Sequence, residues 1–171
     1  MAGPQQATAE LVESDQQRLG RVASYFMLAV ERLVLQGRSF TVVDEGRILG
    51  AALWMPSGME REPSLPRPRD FMGQLLGDEV LLESAERFQQ ALEGAPECGG
   101  FYLADLGLLP GFQGSGLASR LMRHCMAELD GPMWAESANP RDLDFYRRLG
   151  FAAVHQASLF DTTLSRLCLE R

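Results

Sequence analysis

The chain has 171 residues, of which 46% are hydrophobic and 23% are charged, and this composition is typical of one globular domain with a substantial core. Its formal net charge is −7 and every basic residue is an arginine, which argues against a nucleic-acid partner, whose phosphates require a basic surface. No apolar stretch approaches the roughly 20 residues of a membrane span, and no basic segment followed by an apolar one opens the sequence, so we expect a cytoplasmic protein without membrane contact.

The cysteines and histidines predict neither a disulfide framework nor a metal site. Cys98, Cys125 and Cys168 are odd in number and far apart, and they form no Cys-x-x-Cys pair. This spacing predicts reduced thiols. His124 and His155 lack partners at metal-ligand spacing, so no metal is expected.

The first hundred residues predict a hairpin among helices. Residues 1–15 are small and polar, and we expect them to form a loose N-terminal arm. Apolar strands over 40–43 and 48–55 flank Asp44-Glu45-Gly46-Arg47, which contains a strong hairpin turn signal. The remaining pattern predicts helices over 16–36, 70–76 and 79–92, and a loop over 56–68.

The second half of the chain predicts alternating strands and helices. Strands are expected over 101–109, 133–136, 151–160 and 164–169, and a helix is expected over 116–129. A further helix has Asn139 as its N-cap, Pro140 in its first turn and Gly150 just past its end. This order of elements indicates an α/β fold with helices around one sheet.

The segment Gln113-Gly114-Ser115-Gly116-Leu117-Ala118 joins the strand 101–109 to the following helix. The first N–H groups of a helix lack intrahelical partners and carry partial positive charge, and glycines let an anion approach the backbone closely. The segment therefore predicts a phosphate site that needs no lysine. Alone, a Gly-x-Gly segment is more often a structural connection.

Two runs of residues together resemble the GNAT superfamily of N-acetyltransferases. The first is Leu106-Gly107-Leu108-Leu109-Pro110 followed by Gln113-Gly114-Ser115-Gly116-Leu117-Ala118, which is similar to the cofactor motif Q/R-x-x-G-x-G/A. The second is Trp134-Ala135-Glu136-Ser137, Asn139-Pro140-Arg141 and Phe145-Tyr146-Arg147-Arg148-Leu149-Gly150-Phe151. The runs are most similar to those of the puromycin N-acetyltransferase-like branch. The resemblance implies that every residue from Gln113 to Ala118 contributes to binding coenzyme A.

The resemblance implies a GNAT fold, in which a single mixed, mostly antiparallel sheet is splayed between two central strands and carries helices on both faces. Residues 1–171 would form one N-acetyltransferase domain, with the family's first strand and helix shortened or missing. The implied function is acetyl transfer from acetyl-CoA to the amine of a small molecule or peptide, by direct attack in a ternary complex. The alternatives are a non-catalytic acyl-CoA-binding module and a transferase for a longer acyl group. The oligomeric state stays open, a homodimer included.

The resemblance also implies roles for individual residues. The backbones of Leu106, Leu108 and Leu109 would pair with the pantetheine arm, and an N–H near Leu108 would donate to the thioester oxygen. Tyr146 would face the cofactor sulfur as general acid, since an unperturbed tyrosine has a pKa of about 10 and is protonated at neutral pH. Asn139 would cap its helix and contact the pantetheine or the pyrophosphate.

Two carboxylates are candidates to receive the proton of the incoming amine. Glu136 ends the strand 133–136 near the split in the sheet, and it is the leading candidate for a catalytic base or for binding the ammonium. Asp105 on the strand 101–109 is its competitor. Either carboxylate serves as a base only if its surroundings raise its pKa, and each is also compatible with a solvated charge.

Overall fold

The computed structural model describes residues 19–20, 23, 27, 30–59 and 79–170. The predicted arm over 1–15, the helix 70–76 and most of the loop 56–68 lie outside these residues. After the end of a helix at residue 36, the elements in chain order are β1 (Arg38–Asp44), β2 (Arg47–Pro56), α1 (Glu79–Ala91), β3 (Phe101–Leu108), α2 (Leu117–Glu128), β4 (Met133–Ser137), α3 (Pro140–Arg148), β5 (Ala152–Leu159) and β6 (Thr162–Leu169). Within the described part of the chain, no helix has the length and apolar character needed to cross a membrane.

Six strands form one mixed sheet in the order β1-β2-β3-β4-β6-β5. Every neighbouring pair is antiparallel except β3 and β4, which run parallel. Along these two described strands the pairing consists of Phe101 opposite Met133 and Tyr102 opposite Trp134. Beyond that point β3 and β4 separate. The predicted α/β architecture, with a mostly antiparallel sheet splayed between its central strands, is confirmed.

A bulge in β3 decides which of its side chains share a face. Consecutive residues of β2 pair with Asp105 and Leu103, which leaves Ala104 as an extra residue in β3. Side chains alternate along a regular strand, and one extra residue reverses the alternation. Tyr102 and Asp105 therefore lie on one face of the sheet, and Leu103 and Leu106 lie on the other.

The two faces of the sheet carry separate apolar clusters. The larger cluster packs under α2 and α3 and includes the buried residues Trp54, Leu103, Met122, Met133 and Leu167. The smaller cluster packs under α1 and includes Ala91, Leu159 and Leu164. Leu164 and Leu167 are three residues apart in the regular strand β6, so they point to opposite faces. The larger core thus fixes α2 and α3 against the face that carries Leu103 and Leu106.

Short-range signals produce the predicted turns. Glu45 and Gly46 have φ values of 46° and 78°, as a two-residue hairpin turn of type I′ requires. Asn139 caps α3, because its side-chain oxygen accepts a hydrogen bond of 3.1 Å from the Arg141 N–H. Gly150 follows α3 with a φ of 96°, which suits a glycine.

The cysteines differ from the sequence-based expectation. The sulfurs of Cys98 and Cys168 are bonded and their Cα atoms lie 6.0 Å apart, so the prediction of reduced thiols is wrong for this pair. Because β6 returns alongside β4, it brings Cys168 next to the segment before β3, across a sequence separation of 70. Cys125 is free and buried in α2, and burial raises the pKa of its thiol.

Gly100 permits the close approach of β3 and β4 where their pairing begins. The Phe101 N–H donates to the Pro132 carbonyl at 2.9 Å. A Cβ atom on Gly100 would overlap that carbonyl oxygen, whereas Gly99, which has the same φ of 65°, has open space at the equivalent position.

Gly100→Ala and Gly99→Ala therefore form a matched pair for testing this contact. Both variants place a methyl group on a left-handed backbone, and we expect a comparable cost from that conformation. Gly100→Ala should lose a further 1–3 kcal/mol or so, because the overlap is with rigid backbone. Urea unfolding followed by circular dichroism measures the difference. Equal free energies of unfolding for the two variants would contradict the role given to Gly100.

Candidate active site

The separation of β3 from β4 turns backbone groups of β3 toward the opening between them. The Leu109 N–H donates to the Leu49 carbonyl of β2 at 2.8 Å. Hydrogen-bonded and non-hydrogen-bonded pairs alternate along an antiparallel ladder, so Leu106 and Leu108 direct their N–H and C=O groups away from β2. The Leu109 carbonyl accepts from the Phe112 N–H at 2.9 Å. Of the three leucines predicted to bind the cofactor, Leu106 and Leu108 direct their backbone groups into the opening. The N–H and C=O groups of Leu109 are already hydrogen-bonded within the protein.

The glycine loop leads into α2 with open space beside it. Gly114 and Gly116 have φ values of 76° and 78°, and the positions that their Cβ atoms would occupy are empty. The Ser115 hydroxyl donates to the Phe112 carbonyl at 2.6 Å and accepts from the Leu117 N–H at 3.4 Å, so the loop is closed by its own side chain.

The beginning of α2 has the features of a backbone anion site. Positions 113–116, beginning with Gln113, are exposed, and Leu117 and Ala118 are the first two residues of the helix. The first turn contains no acidic residue. Because its N–H groups point away from the helix and carry partial positive charge, this end of α2 is suited to hold a phosphate.

Tyr146 lies in α3 with its ring fixed by aromatic neighbours. The side chain is buried, and it packs edge to face against Phe145 and Phe151. Burial and, secondarily, the Asp142 carboxylate raise the pKa of its hydroxyl to about 12. The phenol therefore holds its proton at neutral pH. Tyr146 also contributes, after the larger effects of burial and of two carboxylates, to the raised pKa of Tyr102 in β3.

The side-chain amide of Asn139 is mostly occupied by hydrogen bonds to neighbouring residues. Besides accepting from the Arg141 N–H, the side chain donates to Asp142 at 3.2 Å. The Ser137 hydroxyl donates to the same carboxylate at 2.9 Å and accepts from the Asn139 N–H at 3.1 Å. The predicted capping role is confirmed. One amide hydrogen is left over from these contacts for a ligand.

Glu136 on β4 is held by an ion pair with Arg166 on β6, directly opposite it in the sheet. The guanidinium donates to Oε1 of Glu136 through Nη2 at 2.7 Å and Nε at 3.0 Å. The two side chains are 12% exposed for Arg166 and 5% exposed for Glu136. Oε2 of Glu136 accepts a long hydrogen bond of 3.4 Å from the Tyr102 hydroxyl. Both oxygens of the predicted base are therefore engaged.

Asp105 lies on the same face as Tyr102 because of the bulge at Ala104. Partial burial raises the pKa of its carboxyl above the ordinary value. Its negative charge is near enough to Tyr102 to raise the pKa of that phenol. Asp105 is therefore a candidate proton acceptor, because its raised pKa favours the binding of a proton.

Tyr102 and Arg166 belong to this site and were not predicted from the sequence. The Tyr102 ring stacks on Trp134 with centroids 4.3 Å apart, and the Arg166 guanidinium lies 4.8 Å from the Trp134 centroid. Tyr102 stands three residues before Asp105, and this spacing does not suggest a shared face unless the bulge is known. Among the residues that the structure describes, no three His, Cys, Asp or Glu side chains are grouped to hold a metal ion.

Comparison with known proteins identifies the family. A family model described as an acetyltransferase (GNAT) domain matches residues 36–153, which is more than half of the chain. The chain belongs to the GNAT acetyltransferase family. The identification agrees with the resemblance inferred from the two sequence runs.

Solved structures share the GNAT fold with this chain. Histone acetyltransferase HPA2 and related acetyltransferase from Corynebacterium glutamicum aligns with a TM-score of 0.62 at 22% identity, over 87% of this chain and 73% of that one. A GNAT acetyltransferase from Elizabethkingia anophelis with acetyl-CoA bound aligns with a TM-score of 0.54 at 10% identity, over 84% and 82% of the two chains. A putative GNAT acetyltransferase from Desulfovibrio desulfuricans gives 0.53 at 16% identity, over 84% and 77%.

The residues of this GNAT N-acetyltransferase fit acetyl-CoA. The open space beside Gly114 and Gly116 and the first turn of α2 suit a pyrophosphate. The outward backbone groups of Leu106 and Leu108 suit an extended arm that carries amides. Acetyl-CoA is the cofactor.

The raised pKa of Asp105 predicts a pH-dependent gain in stability for Asp105→Asn. The native state binds the Asp105 proton more tightly than the unfolded chain does, so ionisation of this carboxyl opposes folding. As pH rises through the unfolded and then the native pKa, the wild type should lose stability relative to the variant. The full gain in stability of Asp105→Asn over the wild type should be present above the native pKa of Asp105 and absent at low pH.

Thermal unfolding across a series of pH values measures this difference. Asp144→Asn is the matched control, because the Asp144 side chain is 69% exposed on α3. A stability difference for Asp105→Asn that stays constant with pH would contradict the assignment of a raised pKa.

Proposed function

We propose that this GNAT protein acetylates the primary amine of a small molecule or peptide by direct attack in a ternary complex. The observation that carries the proposal is that the backbone groups of Leu106 and Leu108 in β3 face the opening between β3 and β4. Two side chains support it: the protonated phenol of Tyr146 on α3 and the partly buried carboxylate of Asp105 on β3. The similarity of both sequence runs to the puromycin N-acetyltransferase-like branch supports a small, drug-like amine as acceptor. The net charge of −7 favours a cationic one.

Bound acetyl-CoA supplies an activated thioester carbonyl. We assign its pyrophosphate to the glycine loop and the N-terminal end of α2, through those N–H groups that are not bonded within the loop, and its pantetheine arm to the backbones of Leu106 and Leu108. The Leu108 N–H would then donate a hydrogen bond to the thioester oxygen. A hydrogen bond that strengthens as negative charge develops on that oxygen would lower the barrier to attack.

Two side chains handle the protons in this proposal. The Asp105 carboxylate would take the proton that the attacking nitrogen loses, because burial raises its pKa and so favours its protonated form. The Tyr146 hydroxyl, which holds its proton at neutral pH, would supply a proton to the departing sulfur. Glu136 was the leading candidate base in the sequence, but protonation would remove the negative charge that pairs with the buried Arg166 guanidinium. We therefore assign the base to Asp105.

The cofactor assignment predicts that acetyl-CoA stabilises the protein and that Gly116→Glu removes this effect. A ligand that binds only the folded state at 100 times its Kd stabilises it by about 2.7 kcal/mol. A glutamate at position 116 would place bulk and negative charge where the pyrophosphate binds. Thermal unfolding at increasing acetyl-CoA concentrations measures the shift in Tm.

Gly46→Glu in the β1–β2 turn is the matched control. Gly46 has the same φ of 78° as Gly116 and equally open surroundings, so its variant carries the same strain and charge away from α2. We expect a full shift in Tm for Gly46→Glu. Absence of any Tm shift in the wild type at millimolar acetyl-CoA would overturn the cofactor site. A full Tm shift in Gly116→Glu would show that the pyrophosphate binds elsewhere.

The general-acid assignment predicts that Tyr146→Phe lowers kcat by about 10²–10⁴, the usual contribution of a positioned acid. Phenylalanine keeps the packing against Phe145 and Phe151, so the Tm shift with acetyl-CoA should not change. Release of free thiol from acetyl-CoA, measured with a panel of amines, gives kcat for both proteins. Equal turnover would remove Tyr146 from the mechanism.

A further inference from the structure

The face of the sheet opposite α2 and α3 carries a connected set of polar and aromatic side chains. Tyr102 occupies the last paired position of β3, where β3 and β4 begin to separate. Trp134 and Glu136 follow on one face of β4, and Arg166 lies opposite Glu136 on β6. The helix α2, which follows the cofactor loop, packs against the other face, so these side chains lie on the opposite side of the sheet from it.

The Arg166–Glu136 pair is fixed from several directions. Arg166 makes two hydrogen bonds to one Glu136 oxygen, donates to the Pro96 carbonyl at 3.0 Å and lies over the Trp134 ring. A buried ion pair contributes little net stability, because desolvation offsets the attraction between the charges. A function other than stability is therefore a reasonable explanation for this pair.

The effect of the pair on Tyr102 is to set the direction of its hydroxyl. The Tyr102 hydroxyl donates to Oε2 of Glu136 at 3.4 Å, so its oxygen keeps its lone pairs for another donor. Burial raises the pKa of Tyr102, and the charges of Glu136 and Asp105 raise it further, with Tyr146 also contributing. The oxygen is therefore a neutral hydrogen-bond acceptor at working pH, on the same face as the Asp105 carboxylate.

We propose that the Tyr102 oxygen orients the acceptor by accepting a hydrogen bond from its amine N–H, and that Glu136 and Arg166 act through Tyr102 as positioning residues. The proposal rests on the proposed function and specifies its acceptor class. A neutral primary amine in position to attack has two N–H groups. One releases its proton to Asp105 and the other donates to Tyr102. A secondary amine has a single N–H, so it cannot make both contacts.

The test compares 2-phenylethylamine with N-methyl-2-phenylethylamine, and benzylamine with N-methylbenzylamine, in wild type and Tyr102→Phe. Loss of one hydrogen bond corresponds to about a tenfold effect. We expect kcat/KM for the primary amines to fall about tenfold in Tyr102→Phe, while the values for the N-methyl amines stay nearly unchanged. A purely structural role for Tyr102 would lower both values equally, and that result would overturn the proposal.

The positioning roles are tested by combining variants. Glu136→Gln should lower kcat/KM for the primary amines, and Tyr102→Phe with Glu136→Gln should be no worse than Tyr102→Phe alone, because the glutamate acts through the phenol. Additive losses would contradict this coupling. Arg87→Gln, which breaks an ion pair with Glu83 whose side chains are 52% and 59% exposed, is the control and should have no effect.

The outcomes separate this proposal from the proposed function. If Glu136→Gln fails to fold, Tyr102→Phe alone decides the question, through the ratio of kcat/KM for primary amines to kcat/KM for secondary amines. Phenylalanine keeps the stacking on Trp134, so this variant should fold. If the wild type shows a Tm shift with acetyl-CoA and acetylates amines but the ratio is unchanged in Tyr102→Phe, the orienting role fails and the acetyltransferase proposal stands. If the wild type acetylates no amine, both fail.

Discussion

The separation of β3 and β4 in the middle of the sheet is the constraint on which the site depends. Their pairing begins where Gly100 meets Pro132 and ends after Tyr102. The backbone groups beyond that point need other partners, because a buried N–H or C=O without one costs about 1–3 kcal/mol. An extended ligand can pair with such an edge as an added strand does. The splay therefore places a binding edge inside a sheet whose other neighbouring strands are paired.

The bulge at Ala104 determines which side chains of β3 lie on each face of the sheet. It directs Leu103 and Leu106 to the core under α2, and it directs Tyr102 and Asp105 to the opposite face. A regular strand would have placed Tyr102 and Leu106 on one face and Leu103 and Asp105 on the other. One inserted residue thus keeps the apolar side chains in the core and brings a phenol and a carboxylate together on the opposite face.

The sequence predicts those features that short stretches of chain determine. The turn at Gly46, the cap at Asn139 and the glycines at 114 and 116 depend on the backbone preferences of a few adjacent residues, and all have the expected conformations. Contacts between strands do not leave such signals. The Tyr102–Glu136 contact spans 34 positions and the Arg166–Glu136 pair spans 30. The C=O group of Leu109 is hydrogen-bonded because of the short turn after β3. A leucine at this position does not indicate that turn.

The two carboxylates near the opening illustrate why residue type alone could not settle the base. Glu136 and Asp105 are chemically similar and both follow apolar strand residues. Glu136 has a guanidinium partner across the strand pair, so its charge is compensated by Arg166 and its position is fixed. Asp105 has its pKa raised by burial, so its proton affinity is increased. Because their surroundings differ in this way, we propose the proton-transfer role for Asp105 and not for Glu136. The difference comes from β6, which begins 57 residues after Asp105 and is invisible in the local sequence around either acid.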